Sequence, residues 1–420
     1  MSGLSIKDAL LDGERVDVVV EGGVVQRIAP HGVQGLRGKV LEAHGGLLTA
    51  PYADPHLHLD AVLLGERTPN YSGTLQEGIA NWAAIRPTLT EVDLIERASV
   101  AVKWCVAQGT GRIRTHVDCS SRLAVEVMCQ FREEVSHLVD LQVVAFPQEG
   151  VFNAPHQKAD LEWAAANGVD AVGAIPHHES TEKAGCASID LAFDLAEEHG
   201  LQVDLHCDET DDPSSQYILW VCEQVRARRF SRHVLAGHCT AMHSYSQDVA
   251  EKAIAAIADT GVQVVANPLD NIVLQGRGDG YPRRRGITRI PELLEAGAWV
   301  GIGHDSIMDP WYPLGRGHLV DAASMLIHVS QMTRPKQIER VHRILVEDNH
   351  APFGGAPRLE EGAPANFLVH SARSAAQIFR LRAKPLWVIR EGQVVAQTPV
   401  SASEVLGEPV RPGLSAPEPS

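Results

Sequence analysis

Apolar and polar segments alternate regularly along the chain from about residue 48 to residue 310. Short β-branched or apolar runs end abruptly in polar clusters, and a helical stretch follows each cluster. Near-continuous apolar strands that alternate with helices are typical of parallel strands covered on both faces. The eight predicted strands are residues 47–52, 113–117, 141–146, 171–175, 202–205, 233–236, 263–266 and 298–302. Eight such units predict an α/β protein with a (β/α)8 TIM barrel, whose chemistry gathers at the C-terminal ends of the strands.

Both ends of the chain carry a different pattern, in which two short apolar strands flank a glycine-containing turn. Turns of this kind between apolar runs indicate β-hairpins. The four hairpin strands are predicted at residues 16–20, 24–28, 386–390 and 393–396. Because the hairpins lie at opposite ends of the chain, we expect them to pair into one small β domain.

These patterns predict the domain organisation. Residues 1–47 and 365–405 are expected to form a small β-sandwich domain, and residues 48–364 are expected to form the (β/α)8 barrel. The proline-containing segment 406–420 is expected to be a flexible tail.

Charge and composition exclude several classes of protein. The chain has 37 Lys and Arg against 53 Asp and Glu, and the resulting net charge of −16 disfavours nucleic acid and anionic lipid as partners. We find no apolar run long enough to span a bilayer and no secretory signal. Seven scattered cysteines give no disulfide framework. We therefore expect a cytoplasmic protein without nucleic-acid or membrane partners.

Histidine and aspartate side chains follow four of the predicted barrel strands at matching depth. His56 and His58 are two residues apart in an extended segment, so their imidazoles point the same way. His206 follows the fifth strand, His238 follows the sixth, and Asp305 follows the eighth. A random scatter of histidines would not favour strand ends so strongly. The pattern predicts a metal site at the mouth of the barrel.

The donor types indicate which metals suit this site. Three imidazoles, from His56, His58 and His206, together with the Asp305 carboxylate suit Zn²⁺ or Fe²⁺ better than Ca²⁺ or Mg²⁺. The fourth strand is followed by residues 176–179, which include no lysine that could be carboxylated to bridge two metals. We therefore expect one divalent metal ion per subunit, either zinc or iron.

Longer motifs make a family resemblance specific. They include His56-Leu57-His58-Leu59-Asp60, Phe146-Pro147-Gln148-Glu149-Gly150, His206-Cys207-Asp208-Glu209, Ala266-Asn267-Pro268-Leu269, Gly303-His304-Asp305 and Asp309-Pro310-Trp311-Tyr312-Pro313. In these motifs the chain resembles the amidohydrolase superfamily and, within it, the bacterial cytosine deaminases of the metal-dependent barrel type. The resemblance covers about residues 50–320 and is weaker on both flanks.

The resemblance implies specific roles for residues of this chain. The implied metal ligands are His56, His58, His206 and Asp305; the implied catalytic residues are Glu209, His238 and Asp305; and the implied substrate-binding residues are Gln148, Phe146, Ser306 and Trp311. In this scheme Glu209 shuttles protons and His238 orients a metal-bound hydroxide. Gln148 binds the amide edge of the pyrimidine, and the two aromatic side chains form walls of the pocket.

The implied reaction is hydrolytic deamination of a free aminopyrimidine base. Cytosine or 5-methylcytosine would give uracil or thymine plus ammonia. Hydroxide attacks the ring carbon that bears the amine, the adjacent ring nitrogen takes a proton, and the amine leaves as ammonia. One carboxyl group must therefore accept and donate protons in turn. Glu209, three residues past the ligand His206, is close enough for this work.

One position departs from the cytosine deaminase pattern. Those enzymes carry a second pocket aspartate after the metal-binding one, whereas this chain has Ser306. Serine is smaller and uncharged, so the pocket wall should be roomier and less hostile to an apolar group. Burial of one methyl group contributes about 0.8 kcal/mol. We therefore expect 5-methylcytosine to be accepted at least as well as cytosine.

Other interpretations remain open at this point. Isocytosine, isoguanine or an aminotriazine could be the substrate, and the same site could hydrolyse an N-alkyl amine or a cyclic amide. A catalytically silent barrel scaffold is a further alternative, although all ligand and acid positions are filled. Members of this family are commonly homo-oligomers, and we expect the same here.

Each of the proposed side chains also has a structural alternative. Glu209 could form a surface salt bridge, and Gln148 could bind loop backbone groups. His238 could be a hydrogen-bonded core residue, and Trp311 and Phe146 could be simple core residues.

Overall fold

The computed structural model describes residues 3–399. In this range the strands are β1 Leu4–Leu11, β2 Glu14–Glu21, β3 Val24–Pro30, β4 Lys39–Thr49, β5 Tyr52–Leu57, β6 Thr110–Asp118, β7 Asp140–Phe146, β8 Ala171–Val172, β9 Gln202–Cys207, β10 Val234–His238, β11 Gln263–Ala266, β12 Val300–Ile302, β13 Phe367–His370, β14 Pro385–Arg390 and β15 Gln393–Gln397. The predicted tail, residues 406–420, and the end of the predicted small domain, residues 400–405, lie outside the described residues.

Helices separate most of the barrel strands. The α-helices are α1 Leu75–Ile85, α2 Glu91–Ala107, α3 Arg122–Glu134, α4 Gln157–Ala165, α5 Glu182–His199, α6 Tyr217–Arg228, α7 Gln247–Thr260, α8 Pro268–Leu274, α9 Ile290–Glu295, α10 Leu319–Val329, α11 Pro335–Val346 and α12 Ala375–Leu381. Short 3-10 helices occur at Arg86–Thr88, Pro176–His178, Thr240–Ser244 and Asp348–Phe353. Within residues 3–399, no helix is both long and apolar enough to cross a membrane.

The chain divides into two compact units. One unit draws its described residues from Met1–Pro51, Val106–Gly109 and Ala356–Ser420, and the other consists of Tyr52–Cys105 and Thr110–Gly355. The first unit contains a seven-stranded sheet in the order β15-β14-β13-β4-β1-β2-β3, and the second contains an eight-stranded sheet in the order β12 to β5. The predicted fold class, a barrel with a separate small β domain built from both flanks, is confirmed.

Strand β4 joins the two halves of the small sheet. It pairs in parallel with β1 through residues such as Leu41, and antiparallel with β13 through Leu48 and Thr49. Gly46, which pairs with Ala9 of β1, also lies against β13, and a Cβ atom there would be 1.8 Å from the His370 carbonyl oxygen. Only glycine fits this approach. The two predicted hairpins are present as β2–β3 and β14–β15.

The core of the small unit draws side chains from both flanks of the sequence. Ile6 and Val18 from the first flank are buried together with Phe367 and Ile389 from the second. Because each flank alone exposes one apolar face of its strands, pairing through β4 buries both faces in a shared core.

The barrel consists of eight parallel strands that pair in sequence order. Each neighbouring pair from β5–β6 to β11–β12 is parallel, and a parallel bridge between Leu57 and Asp305 links the first strand to the segment after the eighth. The prediction of eight strand–helix units is thus confirmed. The strand after β7 is shorter than predicted, because β8 spans only Ala171–Val172.

The predicted position of the first barrel strand was wrong. Residues 47–52 were expected to form it, but Leu47, Leu48 and Thr49 belong to β4, and the barrel begins with Tyr52–Leu57. The sequence is mostly apolar on both sides of the boundary between β4 and β5, so the pattern alone shows one strand. The strand nevertheless ends before Pro51, since proline has no N–H group to donate to a strand neighbour. The shift places His56 inside the strand rather than after it.

Candidate active site

Imidazole and carboxylate groups converge at the C-terminal ends of the barrel strands. His56 lies in β5, His58 directly follows it, His206 lies near the end of β9, and Asp305 follows β12. The Asp305 backbone N–H donates to the His56 carbonyl at 2.8 Å, and the His58 N–H donates to the Asp305 carbonyl at 3.2 Å. Barrel closure therefore fixes three of these side chains relative to one another.

The distances between the donor atoms suit one tetrahedral metal ion. His58 Nε2 is 3.2 Å from His206 Nε2 and 3.4 Å from Asp305 Oδ1, and His56 Nε2 is 3.5 Å from the same oxygen. Donors about 2.0–2.1 Å from a tetrahedral zinc ion are separated by about 3.3 Å. These three distances match the spacing of ligands around a single ion, and each of the four predicted ligands takes part in at least one of them.

Unsatisfied nitrogen atoms support the same conclusion. His56 is completely buried, and among residues 3–399 neither of its ring nitrogens has a partner with hydrogen-bond geometry. A buried polar group without a partner costs about 1–3 kcal/mol, and coordination to a cation would remove that cost. The residues present therefore fit a divalent ion, and their chemistry does not distinguish zinc from iron.

A buried carboxyl group and a buried imidazole stand beside this donor set. Glu209 Oε1 is 3.3 Å from His238 Nδ1, and Asp305 Oδ2 is 3.9 Å from the same nitrogen. Burial, reinforced by the negative charge of Asp305, raises the pKa of Glu209 well above its usual value. Burial also lowers the pKa of His238 well below its usual value, which favours a neutral imidazole. A carboxyl group that holds its proton in this way is suited to deliver it during a reaction.

The backbone is strained where these strands end. Asp208, His238 and Asp305 have φ angles of +52°, +68° and +68°, in the left-handed region that residues other than glycine rarely adopt. Such conformations cost of order 1–3 kcal/mol each and cluster at functional sites. Each lies at or next to a site residue, so the sharp turns at the strand ends set where those side chains point.

Two amides from the seventh strand–helix unit hold His238. Asn271 Nδ2 lies 2.9 Å from His238 Nδ1, and Asn267 Nδ2 lies 3.3 Å from Nε2. Both asparagines are completely buried. Neither was predicted from the sequence as a site residue, although Asn267 belongs to a motif that carries the family resemblance.

A small pocket opens onto the donor set. Its lining residues are His58, Leu75, Gln148, His206, Glu209, His238, Asp270, Leu274, Asp305, Ser306 and Trp311. Three of the four predicted substrate-binding residues therefore line this pocket: Gln148, Ser306 and Trp311. Each of these three is more than nine-tenths buried.

Phe146 does not line this pocket and lies behind His206. Its ring is stacked on the His206 imidazole with a centroid distance of 3.9 Å and an interplanar angle of 16°. The sequence-based expectation that Phe146 forms a pocket wall is therefore replaced by a contact with a candidate metal ligand. The strand alternation explains this placement, since Phe146 is the last residue of β7 and points into the barrel.

The position of Phe146 leads to a testable prediction. Phe146→Leu should loosen the His206 imidazole and weaken metal binding, with a smaller effect on KM at saturating metal. Loss of an aromatic contact next to a ligand is expected to reduce metal affinity by about tenfold. Competition with a chromophoric chelator measures that affinity. A rise in KM at saturating metal, with metal affinity unchanged, would instead favour a direct contact with substrate.

Trp311 is held in place from two sides. Asp309 Oδ1 accepts hydrogen bonds from the backbone N–H groups of Trp311 and Tyr312 at 3.0 and 2.9 Å. On the other side, a Cβ atom at Gly78 would lie 2.4 Å from the Trp311 ring, so helix α1 packs directly on the indole. Trp311 is thus both a packed residue and a pocket wall.

Two further residues near the site were not predicted from the sequence. His116 lies 4.1 Å from His56 between ring centroids, and its Nε2 is 3.1 Å from Asp204 Oδ1. Burial lowers the pKa of His116 to about 3. Asp270 lines the pocket beside Ser306. His116 lies near the end of β6, and Asp270 follows β11. The search for polar residues at strand ends that identified Glu209 and His238 therefore also applies to them.

Fold and site together define a barrel hydrolase with a cluster of histidines able to bind metal. The family model described as "Amidohydrolase family" matches residues 106–396, and the chain belongs to this family. The predicted superfamily is therefore confirmed.

Solved structures with the same fold include deaminases. The structure of 5-methylcytosine deaminase from Klebsiella pneumoniae liganded with 5-fluorocytosine has a TM-score of 0.91 and 34% identity, covering 96% of this chain and 99% of that one. N-isopropylammelide isopropylaminohydrolase from Burkholderia multivorans gives a TM-score of 0.80 at 23% identity, covering 94% and 99%, and shows the fold.

A curated relative points to the same chemistry. Pterin deaminase from Rhizobium rhizogenes is 28% identical over 91% of this chain and 88% of its own length. With the family and the deaminase structures, this supports the predicted enzyme class, a hydrolase acting on C–N bonds of cyclic amidines.

Proposed function

We propose that this protein catalyses the hydrolytic deamination of a free aminopyrimidine base, cytosine or 5-methylcytosine, to uracil or thymine plus ammonia. The observation that carries the proposal is the pocket whose lining joins Gln148 and Glu209 with members of the donor set. An amide that reads one edge of a ring and a carboxyl group that moves protons are the two functions this reaction needs.

Each group has a defined part in this proposal. A divalent ion held by His56, His58, His206 and Asp305, one zinc or iron ion per subunit, would supply a water of lowered pKa. Glu209 is protonated at the start and gives its proton to the ring nitrogen. Its carboxylate then takes a proton from the attacking oxygen and gives it to the amine, so that the C–N bond breaks and ammonia leaves as the C–O double bond forms.

Other residues of the chain orient the reactants. His238, fixed by Asn271 at 2.9 Å, directs the attacking water toward the ring carbon. Gln148 binds the amide edge of the base, and Trp311 covers one face of the ring. Because Glu209, His238 and Gln148 are all more than nine-tenths buried, these contacts are made away from bulk water and are correspondingly strong.

Comparison with relatives supports the substrate class. The Klebsiella pneumoniae structure named for 5-methylcytosine deaminase contains 5-fluorocytosine, a cytosine with a substituent at ring carbon 5. Ser306 lines the corresponding pocket here, is nearly fully buried and carries no charge. We also propose that the enzyme is a cytoplasmic homo-oligomer, as is expected for the family.

Ammonia release tests the proposed function directly. Purified protein loaded with zinc or iron is incubated with cytosine and with 5-methylcytosine at equal concentrations, and ammonia and the oxo base are quantified. Release from either base, with stoichiometric uracil or thymine, supports the proposal. Absence of ammonia from both bases with metal-loaded, folded protein contradicts it.

The Ser306→Asp variant tests the substrate preference. A carboxylate beside the C5 methyl group would have to be desolvated against an apolar surface, so kcat/KM for 5-methylcytosine should fall by about tenfold or more relative to cytosine. Ser306→Ala is the matched control and should keep the parental preference, because it adds neither volume nor charge. Equal effects of Ser306→Asp on both bases would contradict the assignment of Ser306 to the methyl-facing wall.

A further inference from the structure

Asp270 is a buried carboxyl group of the site pocket whose surroundings disfavour its charged form. It lies in helix α8, is completely buried and lines the pocket together with Glu209 and Asp305. Among residues 3–399, neither of its carboxyl oxygens has a partner with hydrogen-bond geometry. Buried carboxyl groups without partners are rare in folded proteins, and one that lines a pocket indicates a missing ligand group.

The electrostatic surroundings of Asp270 argue against a purely structural role. Burial and the repelling carboxyl groups of Asp305, Asp309 and Glu209 raise the pKa of Asp270 well above its usual value, and the nearby Ser306 hydroxyl acts in the opposite direction. No lysine or arginine is among the residues that line the pocket. The pocket therefore offers several hydrogen-bond acceptors and few donors on this side, which suits a ligand that brings N–H groups.

The barrel topology places Asp270 opposite Gln148. Gln148 follows the third barrel strand, β7, and Asp270 follows the seventh, β11. In a closed barrel of eight strands, the third and seventh strands are four positions apart and face each other across the mouth. A flat ring bound in the pocket thus presents one edge to Gln148 and the opposite edge to Asp270.

We propose that Asp270 is a substrate-binding residue whose carboxyl oxygen accepts a hydrogen bond from the exocyclic amine of the bound base. This inference rests on the proposed deamination, in which Gln148 binds the amide edge and leaves the amine on the far edge. In this scheme Asp270, in the seventh strand–helix unit, makes the enzyme prefer amino bases to oxo bases.

The proposed contact also has a consequence for product release. During deamination a C–O bond forms at the ring carbon, the C–N bond breaks, and the amine leaves as ammonia. A carbonyl oxygen then stands where the amine stood, so two acceptors face each other across the same gap. Asp270 therefore stabilises the bound substrate and weakens binding of the product.

The departure from the cytosine deaminase pattern at position 306 fits this role. The resemblance to cytosine deaminases places a pocket carboxylate at position 306, where this chain has serine. The carboxyl group of Asp270 lines the same pocket, from the helix that follows the neighbouring strand β11. The amine keeps an acceptor, while the space beside Ser306 becomes available for a methyl group.

Asp270→Asn tests the proposal because the amide has the same shape and can donate to a carbonyl. The measured quantities are KM for the amino base and the inhibition constant of its oxo product, with metal content determined in parallel. We expect KM to rise and the inhibition constant to fall, so that their ratio changes by about tenfold to a hundredfold toward the product. Asp270→Leu should raise KM without improving product binding.

Asp309→Asn is the matched control. Asp309 is equally buried and close to Ser306, but it holds the backbone of Trp311 and is absent from the pocket lining. Its replacement should change the affinities for substrate and product by similar factors. A ratio that shifts equally in Asp270→Asn and Asp309→Asn would overturn the proposal, and so would loss of bound metal in Asp270→Asn, which would make Asp270 a metal ligand.

The outcomes distinguish this inference from the proposed function. If the unmodified enzyme releases ammonia and Asp270→Asn keeps the parental ratio, only the role of Asp270 is refuted. If the unmodified enzyme releases none, the proposed reaction fails, and calorimetric affinities for cytosine and uracil test Asp270 alone. A preference for cytosine that Asp270→Asn abolishes would still support the contact, and binding of neither base would refute both.

Discussion

Replacement of Glu209 by glutamine is expected to lower kcat by about a hundredfold to ten-thousandfold, the usual contribution of a positioned general acid or base. The glutamine amide preserves the shape of the side chain and its contact with His238, but it cannot accept a proton from water or give one to the departing amine. Steady-state kinetics with the better of the two bases measures the effect. Among the single substitutions considered, this one removes the most chemistry with the least structural change.

The environment of Glu209 explains why its loss should be so costly. The carboxyl group is buried beside Asp305, and both burial and that negative charge raise its pKa. A protonated carboxyl group in the resting site can donate as soon as a ring nitrogen develops basicity. Bulk water cannot take over this role, because the surrounding side chains are almost entirely buried.

Metal content and a neighbouring carboxyl group provide the controls for this experiment. Glu209 is not one of the four proposed ligands, so Glu209→Gln should bind metal as the parent does. Glu149→Gln removes a partly exposed carboxylate that pairs with Arg86 at 3.0 Å, in the loop next to Gln148, and should keep most of the activity. A Glu209→Gln enzyme with more than a tenth of the parental kcat would refute the shuttle role.

Most of the barrel could be predicted from local sequence because each strand is an apolar run that ends in a polar cluster. His206-Cys207-Asp208-Glu209 illustrates the signal, since the change from apolar to polar residues marks both the strand end and the site. The error at the first strand has a physical cause. The mostly apolar residues 47–53 contain the end of β4 in the small sheet and the start of β5 in the barrel sheet, and the break at Pro51 separates the two strands.

The small sheet was harder to predict because its pairing is non-local. The two hairpins are local and were found, but β1 and β13 pair with β4 and were not. Leu4 pairs with Lys39, and Leu368 pairs with Thr49, across more than three hundred residues of intervening sequence in the second case. Nothing in the local pattern of either strand indicates its partner, since strand pairing depends on tertiary contacts.

The part of the candidate site formed by motifs at strand ends could be predicted from the sequence. His56, His58, His206, Glu209, His238 and Asp305 meet in space as the strand positions required. Phe146 was assigned to the pocket, although its direction depends on the barrel interior, which the sequence does not show. Asp270 stands four residues past β11, where an acidic residue near a strand end was a usable signal.

The metal site itself yields the second large effect. His206→Ala should reduce bound zinc or iron from about one equivalent to less than a tenth of one after dialysis, and ammonia release should fall with it. His206 supplies the nitrogen closest to another donor, 3.2 Å from His58 Nε2, and its ring is fixed by stacking on Phe146. Metal analysis of the purified variant and its parent by mass spectrometry measures the change.

His243→Asn serves as a control for the general effect of removing a histidine. His243 lies in the 3-10 helix Thr240–Ser244, half-buried, and does not line the site pocket. It should retain metal at the parental level. Metal loss in this variant would indicate that the protein loses its ion through global destabilisation rather than through the missing ligand.

A second cluster makes the His206 experiment decisive about which histidines bind. In the part of the chain that the structure describes, two groups of three buried histidines could hold an ion: His56 with His206 and His238, or His56 with His58 and His116. His116 is not one of the four proposed ligands, and its Nε2 lies 3.1 Å from the Asp204 carboxylate, so His116→Ala should keep the metal. If His206→Ala retains the metal and His116→Ala loses it, the ion is bound by His56, His58 and His116 instead. The opposite result places it at the pocket floor, within reach of a base held by Gln148 and Asp270.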